Sequence, residues 1–305
     1  MKNILVSGVV NVETNVVVEK FPIDYFPVCY PFFGIQTNVG GVAYNVSKAL
    51  STLGNNVSLT TMLGNDWESK QISETLQENR IDTSRIHTCL AESPRSVILH
   101  SKDGRRQVYS DLKNLQNATF SFDTIDLNLF DCIVACNVNF NRPLLLKSKE
   151  AYKPIATDVH VLSNPYDDYN GDFLFYSDII FLSDEGISGS NVDFLQILKS
   201  NSPAQVIVIG QGKNGAMIYT REDDSIHVLS AVQNNHVANT LGAGDALFSS
   251  FLHFYFDGFP AIEALKMAEI FASHKISFNG ASNGFLTQEE VKKRIPYTPI
   301  SVEKL

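Results

Sequence analysis

Asn239-Thr240-Leu241-Gly242-Ala243-Gly244-Asp245 opens a run, Ala243 to Phe256, in which Ala246, Leu247, Phe251 and Phe254 fall on one side of a helix. The first amides of a helix have no partner within it, and its aligned peptide dipoles add positive potential there. Two glycines around an alanine keep side-chain bulk off those amides. The segment therefore reads as a cradle for an anion such as phosphate. Asp245 stands beside it, where a carboxylate can take the proton from a hydroxyl attacking a held phosphate. The plainer reading is a Gly-rich helix start that Asp245 merely caps.

The rest of the chain sets this helix in an α/β frame. Ile4–Val10, Val57–Met62, Ile133–Ala135, Ile155–Thr157, Ile179–Leu182, Val206–Ile209, Ala216–Tyr219 and Ile226–Leu229 are short, apolar and rich in β-branched residues, as buried strands are. Helical spacing recurs at Val42, Ala43, Val46, Ala49, Leu50 and Leu53, with Gly54 as a C-terminal cap, and again over Glu68–Glu78, Pro260–His274 and Gln288–Arg294. Strands alternating with helices predict a mostly parallel sheet covered on both faces. Two stretches break the rhythm. Val97–Leu99 and Gln107–Tyr109 predict a hairpin across Asp103-Gly104. Residues 12–38 combine a strand at Val16–Val18 with a proline-broken aromatic cluster that includes Phe21, Tyr25, Phe26, Tyr30, Phe32 and Phe33. That composition predicts a flap or clasp packed on something, and the two stretches together predict a small separate sheet.

A second glycine pair, Asn38-Val-Gly40-Gly41-Val-Ala-Tyr-Asn45, places an Asn one turn into a helix behind a turn that lets a ligand approach the main chain. Gly8-Val-Val-Asn11-Val-Glu13 ends the first predicted strand. Asn11 and Glu13 share one side of it and can grip vicinal hydroxyls. In α/β sheets ligands bind beyond the carboxyl ends of the strands.

Gly8…Asn11-Val-Glu13, Asn38-Val-Gly40-Gly41…Asn45, Gly64-Asn-Asp66, Ile81-Asp-Thr83 and Asn239-Thr-Leu-Gly-Ala-Gly-Asp245 occur in the order seen in the ribokinase (PfkB-type) family of carbohydrate and nucleoside kinases, which this chain resembles over nearly its whole length. The resemblance implies a single ribokinase-like domain over residues 1–305: a three-layer α/β/α sandwich with a mostly parallel central sheet and a small β-sheet lid at about 12–38 and 95–112. It implies ATP-dependent phosphorylation of a primary hydroxyl on a sugar or a nucleoside. Asp245 takes the catalytic-base role, and Gly242, Ala243 and Gly244 form the anion hole. Asn11, Glu13, Gly40, Gly41 and Asn45 line the substrate pocket. Gly212, Gly215, Thr240, Gly242 and Gly244 lie by the nucleotide. Mg2+ accompanies the ATP, a monovalent cation such as K+ belongs to the same picture, and the lid serves as a homodimer clasp.

Three departures accompany the resemblance. Glu13 stands where relatives carry Asp. The Asn-x-x-Glu element for metal-bound phosphate aligns with Ser183-Asp-Glu-Gly186, leaving Glu185 as the substitute ligand. Asp-x-Asn-x-Arg aligns with Asp158-Val-His160-Val-Leu162, without the Arg. These losses keep open a non-catalytic sugar or nucleoside sensor on the kinase fold.

Other classes find little support. Gly210-Gln-Gly212-Lys-Asn-Gly215 matches G-x-G-x-x-G but leads into the strand Ala216–Tyr219, whereas the dinucleotide fingerprint opens a helix. The net charge of −9 without basic clusters argues against a nucleic-acid partner. The short apolar runs argue against a membrane span. The seven histidines, among them His160, His236 and His274, show no metal-ligand spacing, and the four cysteines show no disulfide or zinc pattern. Cys132 and Cys136 read as reduced core residues, in keeping with the cytoplasm.

Overall fold

The structure is a computed structural model and describes residues 1–101 and 104–305. In chain order the strands are β1 (Asn3–Ser7), β2 (Asn11–Val18), β3 (Ile35–Gly40), β4 (Asn56–Leu63), β5 (Asp82–Thr88), β6 (Arg95–Ser101), β7 (Arg106–Asp111), β8 (Cys132–Ala135), β9 (Ile155–Val161), β10 (Ile179–Ser183), β11 (Val206–Gly210), β12 (Ala216–Thr220), β13 (Ser225–Leu229) and β14 (Val302–Lys304). The helices are α1 (Val42–Thr52), α2 (Trp67–Glu78), α3 (Arg142–Glu150), α4 (Gly171–Tyr176), α5 (Asn191–Asn201), α6 (Ala243–Phe256), α7 (Ala261–Lys275) and α8 (Gln288–Arg294).

Alternation along the strands builds the layers. In β1, Ile4 and Val6 join the core under α1, α6 and α7, while Leu5 joins the opposite core with Leu144, Leu145, Phe173 and Leu195 from α3, α4 and α5. In β11, Val206 and Val208 face the first core, and Ile207 and Ile209 face the second. Side chains of one strand thus feed two cores, and helices on both faces keep each dry. The ten-stranded sheet runs β14-β13-β12-β11-β10-β9-β8-β1-β4-β5, parallel from β5 to β11 and antiparallel from β12 outward. β1 pairs with β4 on one side and β8 on the other, so the strand order reverses there. That reversal opens the crevice in which open α/β sheets bind ligands.

The second sheet, β3-β2-β6-β7, has four strands. β6 and β7 are antiparallel as predicted; Asp103 of their predicted turn lies outside the described residues. Two readings are corrected. The apolar run Ile4–Val10 hides a change of sheet: β1 stops at Ser7, and Asn11 already begins β2 of the small sheet. A Cβ at Gly8 would lie 2.6 Å from the Cys136 side chain, so the chain crosses between sheets in close contact with β8. β5 and β14 escaped notice because they are polar edge strands. Of the aromatic cluster, Tyr25, Phe26, Tyr30, Phe32 and Phe33 are exposed, Phe33 completely. Cys132 and Cys136 are buried, which pushes both thiols up, while Cys29 and Cys89 are exposed. Among the described residues no helix is long and apolar enough to cross a membrane.

Candidate active site

Two helix starts meet at the reversal of the sheet. Gly242 precedes α6 with φ +75°, and a Cβ there would lie 2.2 Å from the Ala281 carbonyl oxygen. Only glycine satisfies both the left-handed backbone and that contact. Ala246 N–H donates to Gly242 O at 3.0 Å, while Ala243 N–H donates to Thr240 O at 3.2 Å. Among the described residues, the amides of Gly242, Gly244 and Asp245 have no acceptor. The predicted cradle thus keeps the amides of Gly242 and Gly244, loses that of Ala243 to the turn, and adds that of Asp245 itself.

Asp245 is 8% exposed. Its Oδ2 accepts from Asn45 Nδ2 at 2.8 Å, so the helix behind Gly40-Gly41 and the helix behind Gly242-Ala-Gly244 converge on one carboxylate. Burial pushes the Asp245 carboxyl above its ordinary range, nearby Asp158 pushes the same way, and His160, the Asn45 amide and Lys275 oppose them.

The substrate side is built on β2 and β3. Asn11 pairs with Gly40 and Glu13 with Asn38 in the ladder. Glu13 Oε1 accepts the Gly41 amide at 3.1 Å, placing a carboxylate at the start of α1, where helix potential favours it. A Cβ on Gly40 would lie 2.1 Å from Glu13 Cδ, so glycine there makes room for the longer acid. Burial raises the Glu13 carboxyl, the Gly41 amide lowers it, and the charge of Asp245 raises it. Asn11 Nδ2 donates to Ser96 Oγ at 2.9 Å, which ties the pocket to β6. Asn11 Oδ1 and Asn45 Oδ1 are both buried without a hydrogen-bond partner among the described residues. Two orphaned acceptors suit a ligand rich in hydroxyl donors.

The remaining predicted residues fall elsewhere. Gly212 begins a single 3-10 turn, Gly212–Asn214, between β11 and β12. Gly215 follows it with φ +96°, packed so that a Cβ would lie 1.9 Å from the Leu229 carbonyl. This is the expected strand-turn-strand. Thr240 is exposed on the loop before α6. Glu185 is exposed on the 3-10 turn after β10, where its amide donates to Ser183 Oγ at 3.2 Å.

Three further side chains stand at the site. Asp158 stands at the middle of β9 and His160 near its end, and the ligand atoms of Asp158, His160 and Asp245 all lie within 4.8 Å of one another. His160, expected to be unremarkable, reaches this position through a left-handed backbone, φ +59°, beside a register shift between β9 and β10. Such a conformation costs a non-glycine residue about 1–3 kcal/mol and clusters at functional sites. His160 Nδ1 is 3.7 Å from Asp158 Oδ2. Asp158 and Asp245 offer hard oxygen donors suited to a divalent cation held mainly by a polyphosphate. Lys275, at the end of α7, is fully buried and donates its ammonium to the Leu241 carbonyl. Burial pulls it down to about 8 against the pull of Asp245.

Residues 1–288 match the pfkB family carbohydrate kinases, and the chain belongs to that family. It is therefore a phosphotransferase that uses ATP. Among curated relatives, an acarbose 7(IV)-phosphotransferase of an Actinoplanes species is 22% identical over 272 residues, 88% of this chain and 90% of that protein. A ribokinase of Dictyostelium discoideum is 22% identical over 327 residues, 95% of this chain and 99% of that protein. Among solved structures, Arabidopsis thaliana ribokinase complexed with ribose and ATP superposes with a TM-score of 0.81 at 18% identity, covering 96% of this chain and 98% of that one. The likeness confirms the α/β class with a large, mostly parallel sheet and a small separate one.

Proposed function

We propose that this protein transfers the γ-phosphoryl group of ATP to a primary hydroxyl of a sugar, with Asp245 as general base. The single observation that carries the reading is the Asn45–Asp245 hydrogen bond. It sets the carboxylate between hydroxyl-binding groups and free helix amides. Asn11 Oδ1 and Asn45 Oδ1 accept from substrate hydroxyls, and Glu13, poised on Gly41, accepts another. The Asp245 carboxylate takes the attacking hydroxyl's proton. The amides of Gly242, Gly244 and Asp245 hold the moving phosphoryl group, with the α6 dipole behind them. Gly212 and Gly215 shape a turn that would flank the nucleotide, and Thr240 stands on the loop that leads into the cradle.

Mg2+ enters with the ATP. Asp158 and Asp245 would face it, with exposed Glu185 further out, and it would neutralise charge on the phosphates. Beside the cradle the Lys275 ammonium already holds the Leu241 carbonyl, a positive charge that a monovalent cation such as K+ would otherwise supply there. The exposed aromatics between β2 and β3 support a homodimer joined through the lid. Free, exposed Cys29 and Cys89 fit a reducing cytoplasm.

A nucleoside presents the same primary alcohol beside a diol and is the competing acceptor class. The test is a panel of pentoses, hexoses, oligosaccharides and nucleosides with ATP and Mg2+, read as acceptor-dependent ADP release. Turnover highest on a sugar is expected. Turnover on nucleosides alone would overturn the sugar assignment, and tight ligand binding without any ADP release would replace the enzyme by a sensor.

A further inference from the structure

No part of Lys275 reaches solvent. It closes α7, and its ammonium donates to the carbonyl of Leu241, the residue before Gly242. The loop that leads into the cradle has other ties to the end of α7. Ala238 and Asn239 amides donate to Ile276 O at 2.9 and 3.2 Å, and Asn234 Nδ2 donates to Ser273 O at 2.5 Å. Those neutral bonds already fasten the loop. Removing an ammonium from water is costly, and one neutral carbonyl does not offset it. An apolar chain of the same length would fill the space without that cost. The charged groups acting on Lys275 are Asp245, which favours the ammonium, and Arg106 of β7, which opposes it. A positive charge has thus been placed, contrary to the preference of the core, against the Leu241–Gly242 peptide that leads into the cradle.

We propose that Lys275 is a positioning residue for phosphoryl transfer. Its ammonium pins the Leu241–Gly242 peptide so that the free amides of Gly242, Gly244 and Asp245 share one direction, and it sets a fixed positive charge under the phosphate they hold. The inference rests on the cradle assigned in the proposed function. It separates two roles that usually coincide, because the residue that aligns the cradle is one the fold would be content to lose.

The test is Lys275→Met, which keeps the length and volume and removes the charge. The expected result is a Tm equal to or above wild type together with a fall in kcat of about a hundredfold, the scale of a small misplacement of reacting groups. KM for the acceptor should stay near wild type, because Asn11, Glu13 and Asn45 are untouched. Lys275→Ala provides an independent arm: ethylammonium chloride should restore activity at least tenfold over the same concentration of tetramethylammonium, which is too large for the vacated space. Wild-type kcat in Lys275→Met overturns the proposal. So does a loss that only follows a lowered Tm without amine rescue, or failure of both variants to fold, since each makes the lysine structural or idle. Asp245→Asn, measured alongside, keeps the two claims apart. Undiminished turnover in that variant removes the cradle assignment itself, whereas a fully active Lys275→Met with an inactive Asp245→Asn removes only the role of Lys275.

Discussion

The side-chain amide of Asn45 donates to the carboxylate of Asp245 at 2.8 Å, joining residues 200 positions apart in the chain. The bond leaves Asn45 Oδ1 free for a ligand and fixes one carboxylate oxygen. It also stabilises the ionised form of a buried acid that desolvation pushes toward neutrality. Asp245→Asn keeps the shape and removes the base. Turnover should fall about 10²–10⁴-fold, the usual range for a lost general base, while ATP affinity stays close to wild type. Acceptor-dependent ADP release and a calorimetric ATP titration measure the two quantities. A variant that still turns over normally would leave the mechanism without its base.

Glu13 and Gly40 form one device. The carboxylate lies where an alanine methyl at position 40 would collide, 2.1 Å from Cδ, and it caps the Gly41 amide at 3.1 Å. Gly40→Ala must therefore displace Glu13. Gly40→Ala and Glu13→Ala should each raise the acceptor KM roughly tenfold, the worth of one hydrogen bond to a charged group. Combined, they should cost little more than either alone, because the first change already removes what the second deletes. Full additivity in the double-mutant cycle would show that Gly40 and Glu13 act separately.

Much of this arrangement was legible from residue order. Gly40-Gly41…Asn45 and Gly242-Ala-Gly244-Asp245 announce helix starts, the second with bare amides, and apolar runs such as Val206–Ile209 announce buried strands. What stayed hidden depends on long-range contact. Asp158 and His160 reach Asp245 only because β9 ends in the crevice and the backbone of His160 turns left-handed, a conformation no local pattern near His160 signals. Lys275 follows the helix predicted to end at His274, and nothing in the local sequence signals the burial that the packing of the 234–242 loop gives it. Asn11 and Glu13, read as the end of the first strand, lie instead on β2 of the small sheet. Asn11 and Glu13 continue an apolar run, and the switch from one sheet to the other within it leaves no compositional mark.

Glu269 offers a test of stability against pH. It lies on α7, 7% exposed, and burial alone raises its carboxyl to about 8 from an ordinary 4.5. Between those values the folded state keeps the proton and the unfolded state releases it. The unfolded state therefore binds fewer protons, and stability falls as pH rises. The contribution is fully present below about 4.5 and lost by about 8. Glu269→Gln cannot ionise and should raise Tm relative to wild type at pH 8, by a free energy on the order of a few kcal/mol, with the two proteins converging near pH 4. A difference in Tm that does not change with pH would mean that Glu269 stays ionised in the folded protein.

The loop between β2 and β3 carries a prediction about assembly. Phe32 and Phe33 are 84% and 100% exposed, and Tyr25, Phe26 and Tyr30 are exposed beside them. Tyr30 and Phe32 stack on each other at 6.2 Å, which leaves their outer faces to solvent. A monomer rarely displays so many large apolar groups in one patch, and a second copy of the same lid would cover them. Sedimentation equilibrium at micromolar concentration should give the mass of a dimer for the wild type. Phe32→Ser combined with Phe33→Ser should shift it to that of a monomer, with the midpoint of thermal unfolding lowered and made independent of protein concentration, since association no longer stabilises the folded state. A wild type that sediments as a monomer throughout would assign the aromatic patch to another partner.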